Sequence, residues 1–280
     1  MIAPTKNYSP FIESDARDNA EDLRARMREM GYLFFRALVP VEAVLQVRRD
    51  ALQLCREAGW LDPTRDLMDG IAAPDYPPTM ESQPDYMPIY RRLLRISSFH
   101  DFPTNESLIA VGQKILDVPR DDVFVHPRRI GRITFPHLTS ATTPPHQDHY
   151  YIRGAVDTYS CWTPLGECPL ELGGLAVAPA SQRDGFLEHN VESVGAVGGC
   201  GLSPEIVKEW HTGDFGVGDT LFFHSFTIHK ALPNLTEDRL RISTDNRYQR
   251  PKEDIEPASL LPHYEGFEER KEAEKKITSQ

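Results

Sequence analysis

The segment TPPHQDHYYI places a histidine and an aspartate two positions apart, at His146 and Asp148. In a β-strand alternate side chains share a face, so both would point one way and Gln147 the other. A second histidine, His229, comes much later, in the segment HSFTIHKALPN. Two histidines and one carboxylate with open coordination positions form the ligand set of non-haem Fe(II) oxygenases. These three residues are therefore predicted to bind a metal ion.

A pair of arginines follows the second histidine. In the segment RLRIS, Arg239, Arg241 and Ser243 would share one face of a strand. The planar fork of an arginine binds a carboxylate through two parallel hydrogen bonds. The sequence thus predicts an anion-binding group beside a metal ion, and a 2-oxoglutarate site requires that combination.

Other histidines and arginines leave alternatives open. His224 is a rival third ligand because it lies on the same predicted segment as His229. Five positions along a strand turn two side chains to opposite faces, so His224 and His229 would not both face the metal. His149 is predicted to point away from the metal. Three arginines precede the motif: Arg128, Arg129 and Arg132. One of them is a candidate for binding the cosubstrate or an anionic substrate.

Charge and composition exclude several classes of protein. The formal net charge is −11, from 42 acidic and 31 basic residues, which disfavours binding to nucleic acid or to an anionic membrane. The sequence contains no long apolar stretch that predicts a transmembrane helix, and its first residues do not resemble a signal peptide. The 4 cysteines are scattered, as is typical of reduced thiols in a cytoplasmic protein.

The predicted secondary structure changes along the chain from mainly helices to mainly strands. The first part predicts helices over 15–30, from Pro40 to Gly59, and more weakly over 89–96 and 106–116, with a short strand over 32–36. After Asp122, short β-rich runs lie between turn residues, which predicts a jelly roll or related double sheet. The runs are VFVH, RIGRITF, HYYI, TYSCWTPL, GLAVAP, DTLFFHSFTI and RLRISTDNRYQ.

We expect a single oxygenase domain over 1–280, mainly β with flanking α-helices. Residues 1–120 would form a mostly helical flank, 121–250 the β core and 251–280 a charged tail. A glycine-rich excursion interrupts the core. Residues 185–213 are predicted to form a mobile cover over the site, with Trp210 as a bulky anchor, because loops of this length are commonly lids or disordered.

Four segments together resemble the phytanoyl-CoA dioxygenase family: HQDHYYI, CWTPLGECPLELGGLAVAPAS, GDTLFFHSFTIHKALPN and RLRIS. The resemblance implies a double-stranded β-helix in which His146, Asp148 and His229 bind iron. It implies that Trp162 lines the 2-oxoglutarate pocket and that an arginine holds the distal carboxylate of this cosubstrate. The reaction it implies consumes O2, releases succinate and CO2, and oxidises a C–H bond of a small or medium-sized metabolite, most simply by hydroxylation.

The sequence departs from the family pattern at the arginine. Counted from the second histidine, the position of the family's arginine falls between Arg239 and Arg241. Arg239 is favoured since it keeps the R-x3-S relation to Ser243, while Arg241 keeps the shorter R-x-S relation. Three other kinds of protein are compatible with parts of the pattern. They are a cupin-like metal enzyme that does not use 2-oxoglutarate, a zinc hydrolase and a non-catalytic jelly-roll binding protein.

Overall fold

The computed structural model describes residues 8–139, 142–192 and 200–265. Within these ranges the α-helices are α1 (Ala20–Met30), α2 (Val41–Glu57), α3 (Tyr86–Leu93), α4 (Ser97–Asp101), α5 (Glu106–Leu116) and α6 (Asp148–Ile152). The strands are β1 (Tyr8–Pro10), β2 (Tyr32–Phe35), β3 (Phe124–Val125), β4 (Ile130–Thr134), β5 (Tyr159–Pro164), β6 (Leu175–Val177), β7 (Val191–Glu192), β8 (Cys200–Gly201), β9 (Trp210–Thr212), β10 (Thr220–His224), β11 (His229–Ala231) and β12 (Arg241–Gln249).

Two sheets form the β core. The larger has the strand order β2-β10-β5-β12-β3, and β4 also pairs with β12. The smaller has the order β1-β9-β6-β11, in which only the β1–β9 pair is parallel among the described strands. Strands β7 and β8 pair with each other. The expectation of a mainly β fold with flanking helices is confirmed.

The large sheet separates two hydrophobic cores, and alternate side chains of its strands point into one core or the other. Leu33 and Phe35 of β2 pack toward the helices, in a cluster that includes Val44 and Leu108. Tyr32 and Phe34 of the same strand point between the sheets, in a cluster with residues of β5, β6 and β10. A strand that is buried on both faces has no polar alternation, and this explains the uniformly apolar run YLFF. The large sheet is therefore the middle layer, with helices on one side and the site on the other.

The first helix begins at Ala20 and not at residue 15 as predicted, whereas both of the first two helices end close to their predicted glycines, Gly31 and Gly59. Helix α1 begins after Asn19, whose side chain accepts a hydrogen bond from the backbone N–H of Asp22, and ends at Gly31 with φ of 77°. A side chain at Gly31 would collide with Gln182 and Thr227, so glycine is required both for the helix end and for close packing. Helix α2 follows Pro40. No helix in the described ranges is long and apolar enough to cross a bilayer.

The segment HYYI is a helix and not the predicted strand. Gln147 is extended, but the chain turns at Asp148 into helix α6, which ends at Arg153 with φ of 55°. The aromatic residues of α6 pack on histidines: Tyr150 stacks on His189 and Tyr151 lies edge-on to His146. These tertiary contacts outweigh the β propensity of tyrosine and isoleucine, which depends strongly on context.

The segment DTLFFHSFTI is also interrupted. Its first half forms β10 in the large sheet, while His229 begins β11 in the small sheet. The turn between them is fixed to the end of α1, because the Thr227 hydroxyl donates to the Gly31 carbonyl oxygen over 2.7 Å. The chain therefore crosses from one sheet to the other just before His229.

Candidate active site

Three buried side chains converge between the two sheets. The Nε2 atoms of His146 and His229 each lie 3.6 Å from Oδ1 of Asp148. All three residues are at most 6 % exposed, and their ligand atoms lie within 4.8 Å of one another. His146 is held by an isolated antiparallel bridge to His229 at the edge of the small sheet. The sequence prediction of this cluster agrees with the geometry.

Both imidazoles are oriented for metal binding. Nδ1 of His146 lies 2.8 Å from the carbonyl oxygen of Pro144, and Nδ1 of His229 lies 3.0 Å from that of Thr227. If each Nδ1–H donates to its carbonyl, each Nε2 presents a lone pair, which is the usual outer arrangement of a ligating histidine. Burial lowers the pKa of His229 to about 3, and the neighbouring His146 adds to this effect. Two imidazoles and one carboxylate form a donor set that fits Fe(II).

The second oxygen of Asp148 binds protein groups. Its Oδ2 accepts a hydrogen bond from the Ser160 hydroxyl and one from Nη2 of Arg247 over 3.1 Å. Burial acts to raise the pKa of Asp148, but the charge of Arg247 and the contacts with the two histidines hold that pKa well below its usual range. The carboxylate is therefore ionised, and Oδ1 is the oxygen that faces the imidazoles.

A cavity adjoins the three side chains, and Arg241 lines it. Nη2 of Arg241 donates to the Thr134 hydroxyl over 2.8 Å, and Nη1 lies 3.3 Å from the Ser243 hydroxyl. Its guanidinium carbon lies 5.9 Å from the centre of the Trp162 ring, which also lines the cavity. Trp162, Ser243 and Arg241 are thus together, as the sequence indicated.

Arg239, which the sequence analysis favoured, is not among the described residues that line this cavity. It precedes β12 and forms a bridge with Ile71, while the neighbouring Leu240 N–H donates to Gly70. The segment around Arg239 is therefore paired with the N-terminal part of the chain. Of the two arginines that the sequence offered, Arg241 therefore lines the cavity beside the three converging side chains.

His224 and His149 are not among the described residues that line the cavity. Nε2 of His224 is 3.5 Å from Asp157, on a different sheet from His229. His149 packs edge-on to Phe226, which agrees with its predicted orientation away from the metal. Lys230, next to His229, points to the ring of Trp210 at 4.3 Å.

Part of the predicted cover is fixed to the site. The Gln147 side chain donates to the carbonyl oxygens of Gly185 and Phe226 and accepts from the backbone N–H of Leu187, each over 2.8 Å. Trp210 is buried in β9 and is not an anchor that could close on a ligand. Residues 193–199 of the predicted cover lie outside the described ranges.

Sequence reasoning missed several polar residues of the cavity wall. Asp245 and Arg247 lie on the same face of β12 as Arg241, because they follow it by four and six residues in the strand. Extending the alternation from RLRIS to the end of the strand could have found them. Arg132, one of the three arginines that the sequence analysis considered, lines the cavity as well and pairs with Glu81. Glu81 comes from a proline-rich loop without regular pattern, so its position had no signal in the sequence.

Comparison with known proteins identifies the family of the chain. The sequence profile of Phytanoyl-CoA dioxygenase (PhyH) matches residues 27–243. The chain belongs to this family. It is accordingly an Fe(II)- and 2-oxoglutarate-dependent oxygenase, and the three converging side chains provide the expected ligand set within the matched region.

Two curated relatives are hydroxylases that share one name. The chain is 28 % identical over 260 residues to a 1-deoxypentalenic acid 11-beta-hydroxylase of Streptomyces exfoliatus, covering 88 % of this chain and 87 % of the relative. It is 28 % identical over 264 residues to the enzyme of that name from Streptomyces arenae, with the same coverage.

Solved structures show the same fold at lower identity. The carbocyclase SnoK from nogalamycin biosynthesis superposes with a TM-score of 0.61 at 15 % identity, over 93 % of this chain and 94 % of the other. The epimerase SnoN, in complex with Fe3+, alpha ketoglutarate and nogalamycin RO, gives 0.58 at 19 % identity, over 86 % and 87 %. The double-stranded β-helix expected from the sequence is confirmed.

Proposed function

We propose that His146, Asp148 and His229 hold the iron and that Arg241 binds the distal carboxylate of 2-oxoglutarate. The observation that carries this assignment is the placement of Arg241 in the same cavity as the three ligand candidates. Ser243 and Thr134 support the guanidinium by hydrogen bonds, and Trp162 forms a wall beside it. A guanidinium that is fixed in this way loses little freedom when a carboxylate binds.

The role of the protein in the reaction is to bind, orient and exclude water. Bound iron and 2-oxoglutarate supply oxygen activation, with conversion of 2-oxoglutarate to succinate and CO2. Arg241 fixes one end of the cosubstrate, and the three ligands fix the metal at the other end of the cavity. The buried side chains of the site keep the reacting C–H bond away from bulk water.

The reaction that we propose is hydroxylation of an unactivated C–H bond in a small or medium-sized metabolite. Both curated relatives are named as hydroxylases of an acid. The cavity is lined by charged groups beyond the metal ligands, including Arg132, Arg247, Glu81 and Asp245. A substrate that carries oxygen acceptors suits this wall, because two buried N–H groups of Arg247 have no acceptor among the described residues.

The charge of the protein further limits the substrate. The net charge of −11 would repel a polyanionic coenzyme A thioester at long range, so a small acid or neutral metabolite is favoured. We also propose that residues 1–280 act as one oxygenase domain. The helices of the N-terminal part support this, since they share a hydrophobic core with the large sheet.

Anaerobic reconstitution tests the proposed function. Addition of Fe(II) and then 2-oxoglutarate to the purified protein should produce a metal-to-ligand charge-transfer absorption band, and admission of O2 should release succinate. Small terpenoid and other polycyclic acids are the first substrates to screen by mass spectrometry for a gain of one oxygen atom. Absence of the absorption band in the wild-type protein, or its persistence in Asp148→Ala, would refute the assignment.

A further inference from the structure

The two oxygens of the Asp148 carboxylate contact different kinds of partner. Oδ1 faces the Nε2 atoms of both histidines, whereas Oδ2 accepts hydrogen bonds from Ser160 and Arg247. The two donors come from β5 and β12 and are direct partners in the register of these antiparallel strands. Their side chains therefore project together from one face of the large sheet.

We propose that Ser160 and Arg247 are positioning residues that reserve Oδ2 of Asp148, so that the carboxylate gives the metal a single oxygen. This inference rests on the proposed metal site. An aspartate that is free to rotate can offer both oxygens to one metal ion. With Oδ2 held by two donors, the coordination positions needed by 2-oxoglutarate and O2 stay open.

The burial of the group makes this arrangement rigid. Asp148, Ser160 and Arg247 are at most 5 % exposed, so water does not compete freely for Oδ2. Within the described residues, the carboxylate at ion-pair distance from Arg247 is that of Asp148, at 3.1 Å. A hydrogen bond between two charged groups is stronger than one between neutral groups, and the strand pairing fixes the direction of approach.

The charge of Arg247 has a second consequence. A buried carboxylate without a compensating charge is strongly unfavourable. Arg247 supplies that charge and allows Asp148 to keep its position in the metal-free protein.

The variants Arg247→Met, Arg247→Lys and Ser160→Ala test the proposal. Arg250→Met is the matched control, because Arg250 follows β12 directly and pairs with Asp157 and Glu253 away from the metal. Two affinities are measured anaerobically: that of Co(II) by calorimetry, and that of 2-oxoglutarate at saturating Fe(II) by the charge-transfer band.

In Arg247→Met we expect Co(II) affinity to fall about 10- to 100-fold, as for other partners of metal ligands. The affinity for 2-oxoglutarate should also fall at saturating Fe(II), because the released oxygen competes for a coordination position. Arg247→Lys should recover part of both affinities, Ser160→Ala should show smaller losses in the same direction, and Arg250→Met should match the wild type.

The outcomes separate this proposal from the proposed function. If the wild type binds Fe(II) and 2-oxoglutarate but Arg247→Met and Ser160→Ala bind both as tightly, the positioning role is refuted and the function stands. A variant with a lowered melting temperature and wild-type 2-oxoglutarate affinity at saturating Fe(II) likewise refutes it, since that is the effect of a purely structural residue. If Arg247→Met does not fold, Ser160→Ala and Arg247→Lys decide the question.

Discussion

His146 and His229 are joined through their backbones as well as by the convergence of their side chains. The N–H of each donates to the carbonyl oxygen of the other over 3.0 Å. The bridge fixes two distant parts of the sequence at the edge of the small sheet, and their ring centres lie 4.1 Å apart. Two of the three proposed ligands are thus positioned before any metal is present.

The first prediction concerns the ligands themselves. Alanine at His146, Asp148 or His229 should abolish stoichiometric Fe(II) binding, because each substitution removes one of three convergent donors. His224→Ala is the control and should retain the metal, since His224 faces Asp157. Iron content measured after anaerobic loading and desalting checks both results. Loss of iron from His224→Ala with full retention in His229→Ala would reverse the assignment.

The second prediction compares the two arginines. Arg241→Ala should weaken 2-oxoglutarate binding roughly 30- to 1000-fold, which corresponds to about 2–4 kcal/mol for loss of a bidentate charged pair. Arg239→Ala should have a much smaller effect, because Arg239 lies outside the lining of the cavity. Titration of the anaerobic charge-transfer band measures both affinities. The opposite order would restore Arg239 as the binding residue.

The third prediction concerns Gln147. Its replacement by leucine removes three hydrogen bonds and leaves the partly buried carbonyl oxygens of Gly185 and Phe226 and the N–H of Leu187 without this partner. The free energy of unfolding should fall by about 2 kcal/mol or more, and amide exchange over 185–189 should accelerate. Urea unfolding and hydrogen exchange measure these changes, with Gln46→Leu on the exposed face of α2 as control. Unchanged exchange in Gln147→Leu would show that the segment is held by other contacts.

The fourth prediction concerns stability as a function of pH. Burial lowers the pKa of His126 from 6.5 to about 4, against the hydrogen bond with Gln249. The unfolded chain therefore binds more protons than the folded one between these values, and the contribution of His126 to stability is lost as pH falls from 6.5 toward 4. At pH 5 this loss amounts to about 2 kcal/mol.

Substitution of His126 by glutamine should reduce the pH dependence of unfolding between pH 7.5 and 5. The exposed His137 provides the control, because His137→Gln should keep the pH dependence of the wild type. Chemical unfolding at several pH values gives the comparison. An equal pH dependence in His126→Gln and the wild type would assign the acid sensitivity to other groups.

The sequence predicted the parts of the site that depend on local pattern. The spacing of His146 and Asp148, and the shared face of Arg241 and Ser243, follow from the geometry of extended chains. The choice between Arg239 and Arg241 could not be made from the geometry of an extended chain, because it depends on where β12 begins to pair with β4. That register is set by contacts between 70–72 and 238–240, which are far apart in the sequence.

Two other features depended on tertiary contacts. The helical turn of α6 forms because Tyr150 and Tyr151 pack on His189 and His146, although their residue types favour a strand. The burial of Trp210 in β9 depends on pairing with β1 and β6, and no local pattern indicated this pairing. The glycine-rich sequence before it suggested a loop instead.

The alternation along β12 also limits how this protein can evolve. Arg241, Ser243, Asp245 and Arg247 all project from one face of the strand, so inserting or deleting one residue within it would replace them with the opposite set. The connection from Pro233 to Asp238 lies outside this strand, and changes in its length leave the face intact. A change of length between the second histidine and β12 therefore preserves the alternation of these four residues, whereas a change within β12 inverts it.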